Sequence, residues 1–486
     1  MKPLAAAAII LGLALFATPA LAGDKTEQYY YSYGANGINE SVPGFQLAMS
    51  ISASQLPVKM TRVDAISAGF GKIFIADSAQ ARINVLNGET CEFEASIKLI
   101  RGSDNKIVIQ ENGEQLMLKG PEGVYACEEL EEIYIADTAG ERIIVLDSND
   151  YSLKKIIAEP SNFVGATSFK PSKISVDGAG RIYFVVQGSY EGIIELNPNG
   201  EFSRFYGVNK PKVNILDYFW KSLASDEQKQ KMAKSFAPSF SDIDIDSEGF
   251  VYATTFDISS EKMIFRFNAK GENVIREEGY LPLQGDFTRF FEFKDTPSAF
   301  TAISESGFGA YAVVDKTYGR VFVYDFDGQV ITIFSKLGNM KGDLREPSAI
   351  SWNGYDLLVG DKALGVVHVY KPTQFGLAAL QATESYSKGE WAKATELYER
   401  AVALNANFYA GYSGIGRNCL MQRDYSQAVY YFKLAQDSKG YSQAYNGYRA
   451  ESTQKWFPIY FAVVLALIGL IVYSEVRYVR KSKTRF

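Results

Sequence analysis

Histidine is almost missing from this chain: His368, in the alternating segment VVHVYK, is the only one in 486 residues. A single histidine excludes His₂ and His₃ metal sites and any relay between two imidazoles. Its place in an alternating strand gives it a structural role. Cysteine is scarce too. Cys91, Cys127 and Cys419 allow at most one bridge within the chain, and Cys91 with Cys127 is the pair it would use. There is no G-x-S-x-G elbow, no phosphate-binding G-x-x-x-x-G-K-[ST] loop and no C-x-x-C. Low-complexity tracts are lacking as well, and 47% hydrophobic with 22% charged residues is the composition of a folded chain.

What is present is aromatic. Tyr (31) and Phe (32) dominate a 14% aromatic content, a bias that suits pleated strands. The two ends stand apart. Residues 1–22 carry one lysine, an apolar run and Ala20-Leu21-Ala22, the pattern of a secretory signal peptide cleaved after Ala22. Near the other end WFPIYFAVVLALIGLIVYS (456–474) holds no charge. A helix of that length crosses a bilayer core of about 30 Å. Trp456, Tyr460 and Tyr473 sit near its ends, and the tail 475–486 has five basic residues against one acid, a balance that stays cytoplasmic. The expected topology is a single-pass cell-membrane protein with residues 23–455 extracytoplasmic. Setting aside Lys2, Glu475 and the five basic tail residues leaves 44 Lys and Arg against 55 Asp and Glu. That excess of 11 negative charges argues against nucleic acid as a partner.

Between the ends a phrase recurs. KIFIADSAQARINVLNG (72–88) is followed by EIYIADTAGERIIVLDS (132–148), and looser copies begin near 181, 250, 310 and 356. Each has a short apolar strand, a polar turn and a second strand, and most are preceded by a third strand such as PSKISVDGAG or PSAISWNG. Six such units predict radial closure into a six-bladed β-propeller over about 28–372. The sixth unit has only three strands of its own. The missing outer strand is expected from the N-terminus, either QYYYSY (28–33) or FQLAMSIS (45–52). Asp77/Arg82, Asp137/Arg142 and Asp315/Arg320 recur at the same turn, five residues apart. A catalytic pair occurs once, so these read as structural blade turns. The aspartate is expected to bond the turn and the arginine to pair with it or with a neighbouring blade, partly exposed and worth about 1 kcal/mol or less. Between units three and four, 214–240 departs from strand pattern. Ser225 and Gln228 have capping-box spacing, which predicts a helical insertion over about 226–236 that serves in docking.

PSKISVDGAGRIYFV and IYIADTAGERIIVLD resemble the NHL repeat, P-x-x-I-x-V-D-x-x-G-x-I-Y-V-A-D followed by R-I-x-V-F-D, over roughly 45–372. The order of features is similar to that of bacterial membrane-anchored NHL-repeat proteins with a tetratricopeptide-like segment. That resemblance implies extracytoplasmic protein binding, with envelope or membrane proteins as partners and the subunits of a carbohydrate-type ABC transporter among them. Some NHL-like propellers are zinc lyases that use several histidines, which this chain does not have.

From 374 to 452 the period becomes helical. Trp391/Tyr425, Ala394/Ala428, Tyr398/Phe432 and Ala401/Ala435 are each 34 residues apart, the tetratricopeptide period. The segment reads as a rigid stalk or a short peptide groove. The domain plan is therefore signal peptide 1–22, propeller 23–373, helices 374–452, membrane span 456–474 and basic tail 475–486.

Carboxylates are the remaining chemistry. SDIDIDSEG puts Asp242, Asp244 and Asp246 at alternate positions, one face of a strand, where Ca²⁺ could bind. The EF-hand comparison fails at Ser247 and Ala253, so Asp242 and Asp244 are weak metal candidates and no cofactor is expected. Tyr125, Lys173, Asp242, Asp244 and Trp352 come from inner strands of different units and are the candidate ligand- or partner-binding residues. The leading expectation is a non-enzymatic anchored binding or scaffold protein. Glycan or sugar recognition at the cell surface and a divalent-metal-dependent, lactonase-like hydrolase are the alternatives.

Overall fold

In a computed structural model the chain is described at residues 31–34, 37–165, 168–207, 239–257, 260, 262–279, 281–286 and 297–483. The signal-peptide reading and the helical insertion around 226–236 lie outside the described residues.

The alternating apolar segments form six antiparallel sheets arranged as a ring. Blade 1 spans 65–97, blade 2 121–157, blade 3 173–206, blade 4 240–267 and blade 5 300–334. The first strand of each sheet lies beside the first strand of the next, and that of the sixth lies beside that of the first. The ring is closed. Among the described residues blade 4 has three strands, and the other five blades have four.

Closure comes from the N-terminus. Phe45–Ile51 pairs antiparallel with Val366–Pro372 as the outer strand of blade 6, with Tyr370 opposite Leu47 and Pro372 opposite Phe45. Of the two segments considered, FQLAMSIS is the one used. Tyr31–Gly34 instead forms a separate hairpin with Gly37–Glu40. Phe45 is fully buried and stacks on Phe334 of blade 5 at 5.1 Å, so the closing strand is gripped by two blades.

A local device links the blades. The innermost strands of blades 2, 4, 5 and 6 each begin with a register shift, between Pro121/Gly123, Phe240/Asp242, Phe300/Ala302 and Pro347/Ala349. A bulge re-aims one side chain. In three blades that side chain is a hydroxyl bonded to the next blade: Ser241 donates to the Phe300 carbonyl, Thr301 to Pro347 and Ser348 to Val63.

Five helices follow: α1 (Gln374–Ser387), α2 (Trp391–Leu404), α3 (Tyr409–Met421), α4 (Tyr425–Leu434) and α5 (Ser438–Lys483). The first four pack consecutively on one another. Small residues allow the approach: a side chain at Gly414 would collide with the Tyr398 ring, and one at Gly376 with the Gly44 backbone. The helices are joined to the propeller. One continuous core runs from Val314, Val323 and Phe334 of blade 5 through Trp352 and Tyr370 to Phe375, Tyr398 and Phe408 of the helices. α5 is a single long helix with Pro458 inside it, and its apolar stretch is exposed along its length. By length and composition it is a candidate single membrane span.

Candidate functional site

The innermost strands line an axial channel, and their sequences align as quartets: AISA (65–68), GVYA (123–126), KISV (173–176), DIDI (242–245), AISE (302–305) and AISW (349–352). Serine at the third place bonds across the blade boundary. Ser67 Oγ accepts from Ala126 N at 3.0 Å, Ser175 donates to the Ile243 carbonyl at 3.1 Å, and Ser351 accepts from Ala68 N at 3.1 Å. Ser304 accepts from Trp352 N at 3.4 Å. An inner strand has no partner on its channel side, so its backbone groups need such bonds.

Departures from the quartet are where the channel becomes distinctive. All five candidate residues are departures: Tyr125, Lys173, Asp242, Asp244 and Trp352. The structure brings them together around one cavity of about 290 Å³ at one end of the channel. A sixth departure, Glu305, lines the same cavity and was not among the expected residues. Aligning the quartets marks it, because the other blades hold Ala, Val, Ile or Trp at that place.

Asp242 is buried and its Oδ2 accepts from Ile303 N at 3.1 Å. Asp244 Oδ2 accepts from Glu305 N at 2.8 Å. In blade 4, carboxylates thus perform the cross-blade bonding that serine performs elsewhere. Burial pushes the Asp242 carboxyl up, against the opposing pull of Lys173 and the Ile303 amide. Burial pushes Asp244 up to about 7, despite the Glu305 and Ile245 amides and with help from the charge of Asp242. Glu305 rises to about 8, first through burial and then through the charges of Asp244 and Asp246, although Gly307 N donates to it at 2.8 Å. The Tyr125 phenol is raised by burial and by the nearby charges of Asp244, Glu129 and Glu305. Trp352 is anchored, its indole N–H donating to the Ser304 carbonyl at 3.1 Å.

Lys173 spans the channel. It lines this cavity and also a second one of about 280 Å³ at the other end of the inner strands. Its Nζ donates to the Asp64 carbonyl at 2.5 Å. Lys316 and Lys362 line that second cavity with Asp64, Glu122 and Glu346. The channel is therefore acidic at one mouth and mixed, with three lysines, at the other.

Among the described residues no three His, Cys, Asp or Glu side chains gather into a group that could hold a metal ion. Asp242 spends one oxygen on a backbone amide, and Asp244 spends both, Oδ2 on Glu305 N and Oδ1 on Ile245 N at 2.9 Å. The three cysteines are free thiols. His368 is buried on the closing strand pair, where Nδ1 meets Ser50 Oγ at 2.9 Å.

None of the blade-turn residues lines the acidic mouth. Asp137 is fully buried, and its Oδ1 accepts from Lys119 N at 2.9 Å and Gly120 N at 2.8 Å. Its Oδ2 pairs with Arg142 Nε at 3.0 Å. Asp77 accepts from Thr61 N and Gln80 N, and Asp315 from Ala299 N and Thr317 N. Each aspartate ties the hairpin turn to the segment leading into the inner strand.

The arginines, expected to pair with the turn aspartate or with a neighbouring blade, do not share one job. Arg142 pairs with Asp137, while Arg320 pairs with Asp286. Arg82 stands opposite Asp77 in the strand register, yet no ion pair joins the two, and its Nε is buried without a hydrogen-bond partner. The reason is that both Asp77 oxygens are already taken, Oδ2 by Thr61 N at 2.8 Å and Oδ1 by Gln80 N at 3.1 Å. The aspartate's turn role is common to the three units, and the arginine's partnership with it is confined to blade 2.

No family model matches this chain, and no curated protein matches it. Among solved structures it is similar to hydrazine synthase of Kuenenia stuttgartiensis, at 11% identity and a TM-score of 0.38, over 66% of this chain and 98% of that one. It is also similar to the β-propeller domain of Cps50 (Swd1) from Myceliophteria thermophila, at 9% identity and a TM-score of 0.39, over 68% of this chain and all of that one. No function is taken from either. Fold and site together define a six-bladed propeller with an acidic channel mouth, joined to a helical segment that ends in a candidate membrane helix.

Proposed function

We propose that this chain is a non-enzymatic, membrane-anchored binding protein of the cell envelope. The terminal helix crosses the membrane once, with the propeller and helices outside and the basic tail inside. The channel mouth and the helical segment bind other envelope proteins. In this reading the blades are NHL-type repeats, α1–α4 are tetratricopeptide-like, and transporter subunits are the first partners to test.

The observation that carries the proposal is the continuity from anchor to propeller. α5 offers an exposed apolar stretch, and the helices before it share one core with blades 5 and 6. Arg417 of α3 reinforces that union by pairing with Asp327 of blade 5 and with Glu278 at 3.4 Å. A body held rigidly to its anchor presents its mouth at a defined height and angle, which suits binding to neighbours in the same membrane.

Affinity purification of the full chain from native membranes in mild detergent tests this. Membrane or envelope proteins are expected in stoichiometric amount. A chain that comes out alone contradicts the proposal, as does turnover of lactones by the purified protein.

A further inference from the structure

Among the described residues the acidic mouth has a charge imbalance. Of the described residues lining the 290 Å³ cavity, Glu128, Glu129, Asp242, Asp244 and Glu305 are acids, and Lys173 is the one cation. Lys173 is buried and reaches toward the other cavity, with its ammonium donating to Asp64 O. The nearest other cation on blade 4, Arg266, is held by Asp246 at 2.8 Å and lies over the Phe250 ring at 3.8 Å. Blades 1 and 6 contribute Ser67 and Trp352 to the lining at the quartet positions, without charge. Asp244 and Glu305 thus face an open cavity with backbone amides and the Ser304 hydroxyl as their partners and, among the described residues, no cation of their own. Burying carboxylates together without a counter-charge is costly. Four of six blades keep serine at the Asp244 position, so the fold does not require the cost. Tyr125 lines the same space, and aromatic faces attract cations.

We propose that this mouth is a receptor for a single alkylammonium or guanidinium group, which pairs with Asp244 and Glu305 beside the Tyr125 ring. The group is a free amine or the tip of a lysine or arginine side chain on a partner polypeptide. The inference rests on the reading of the mouth as the binding surface, and deepens it by naming the chemistry. Binding strengthens as the two carboxyls ionise, so affinity rises with pH through about 7 to 8, while an alkylammonium stays charged. Glu128 and Glu129 at the rim and Asp242 beneath add to the same field, and Lys173 opposes it.

The test is calorimetric titration of the full chain in mild detergent with n-butylamine, n-butylguanidine and neutral n-butanol. A second arm uses an acetylated, amidated Gly-Gly-Lys-Gly-Gly peptide and its norleucine counterpart. Saturable binding of the cationic probes alone is expected, stronger at pH 8.5 than at pH 6. Asp244→Asn combined with Glu305→Gln keeps one oxygen at each position for the Glu305 N and Gly307 N bonds and should weaken binding by roughly tenfold or more. Binding of the butyl cations without the lysine peptide assigns the site to free amines, and binding of the peptide assigns it to a polypeptide. No saturable binding, equal binding of the neutral probes, or full affinity in a folded double variant overturns the inference. A wild-type chain that captures membrane proteins yet binds none of these probes overturns it while leaving the anchored-binding reading in place.

Discussion

At the scale of the residue, the recurring aspartate shows how one side chain supports a whole blade. Asp137, Asp77, Asp315 and Asp361 end the second strand of their units; Asp77, Asp315 and Asp361 each accept amide bonds from two chain segments, and Asp137 accepts two from residues 119–120 and pairs with Arg142. Blade 4 has Thr255 at this place. Its hydroxyl donates to Ser239 O at 2.7 Å and accepts from Asp257 N at 3.0 Å, the same task without charge. The sequence makes the recurrence plain but neither its depth nor the fate of each arginine. A partly exposed pair worth about 1 kcal/mol or less was the expectation, whereas Asp137 is fully buried and Arg142 is 8% exposed. Asp137→Ala strips three donors and leaves a buried guanidinium without its carboxylate, so it should cost about 3–5 kcal/mol. Thermal or denaturant unfolding checks this, and partner binding should persist while the variant is folded.

The mouth acids give a second prediction at this scale. Asp244 and Glu305 have folded pKa values of about 7 and 8, above their ordinary values near 4 in an unfolded chain. The unfolded state releases these protons first. Their contribution is fully present below about pH 4 and is lost as pH rises through 7 to 8. The melting temperature of the double variant Asp244→Asn/Glu305→Gln should therefore fall less between pH 5 and 8 than that of the parent.

At the scale of the element, the closing strand decides whether the ring holds. Phe45–Ile51 contributes its backbone to Val366–Pro372 and its first side chain to the contact with Phe334 and Trp352. Phe45→Ala should cost about 3–5 kcal/mol by emptying a site between two blades. Its signature in hydrogen exchange is faster opening of blade 6 ahead of blades 1 and 2. Alternation and turn spacing made the six sheets and the need for an N-terminal strand legible beforehand. The choice between 28–33 and 45–52 was not legible, because one is tyrosine-rich and the other aliphatic, both suit a strand, and register is set by the partner strand. The site was legible in the same partial way. Five departures from the inner-strand pattern stood out by residue type. Glu305 did not, because a glutamate at a strand end next to a Ser-Gly turn looks like a solvated residue until the channel places it beside Asp244. The blade-crossing role of Asp242 and Asp244 was hidden too, since it depends on which backbone amides the neighbouring blade brings.

At the scale of the whole molecule, propeller and helices form one unit. Arg417 is largely buried between them, paired with Asp327 and donating to the Tyr386 hydroxyl at 3.2 Å, while Gln329 donates to Ser413 at 2.9 Å. Burial and the neighbouring Asp327 push Asp325 up to about 7, even with Arg417 opposing it. The wild-type body should unfold in a single calorimetric transition. Arg417→Ala leaves acids buried at the junction and should split that transition, with the helices melting first.

The central claim is that this body stands on a membrane by α5, and alkaline carbonate extraction of native membranes tests it most directly. The full chain should remain in the membrane pellet, while a chain ending at residue 455 should be released as a soluble, folded protein. Release of the full chain into the carbonate supernatant would contradict the account.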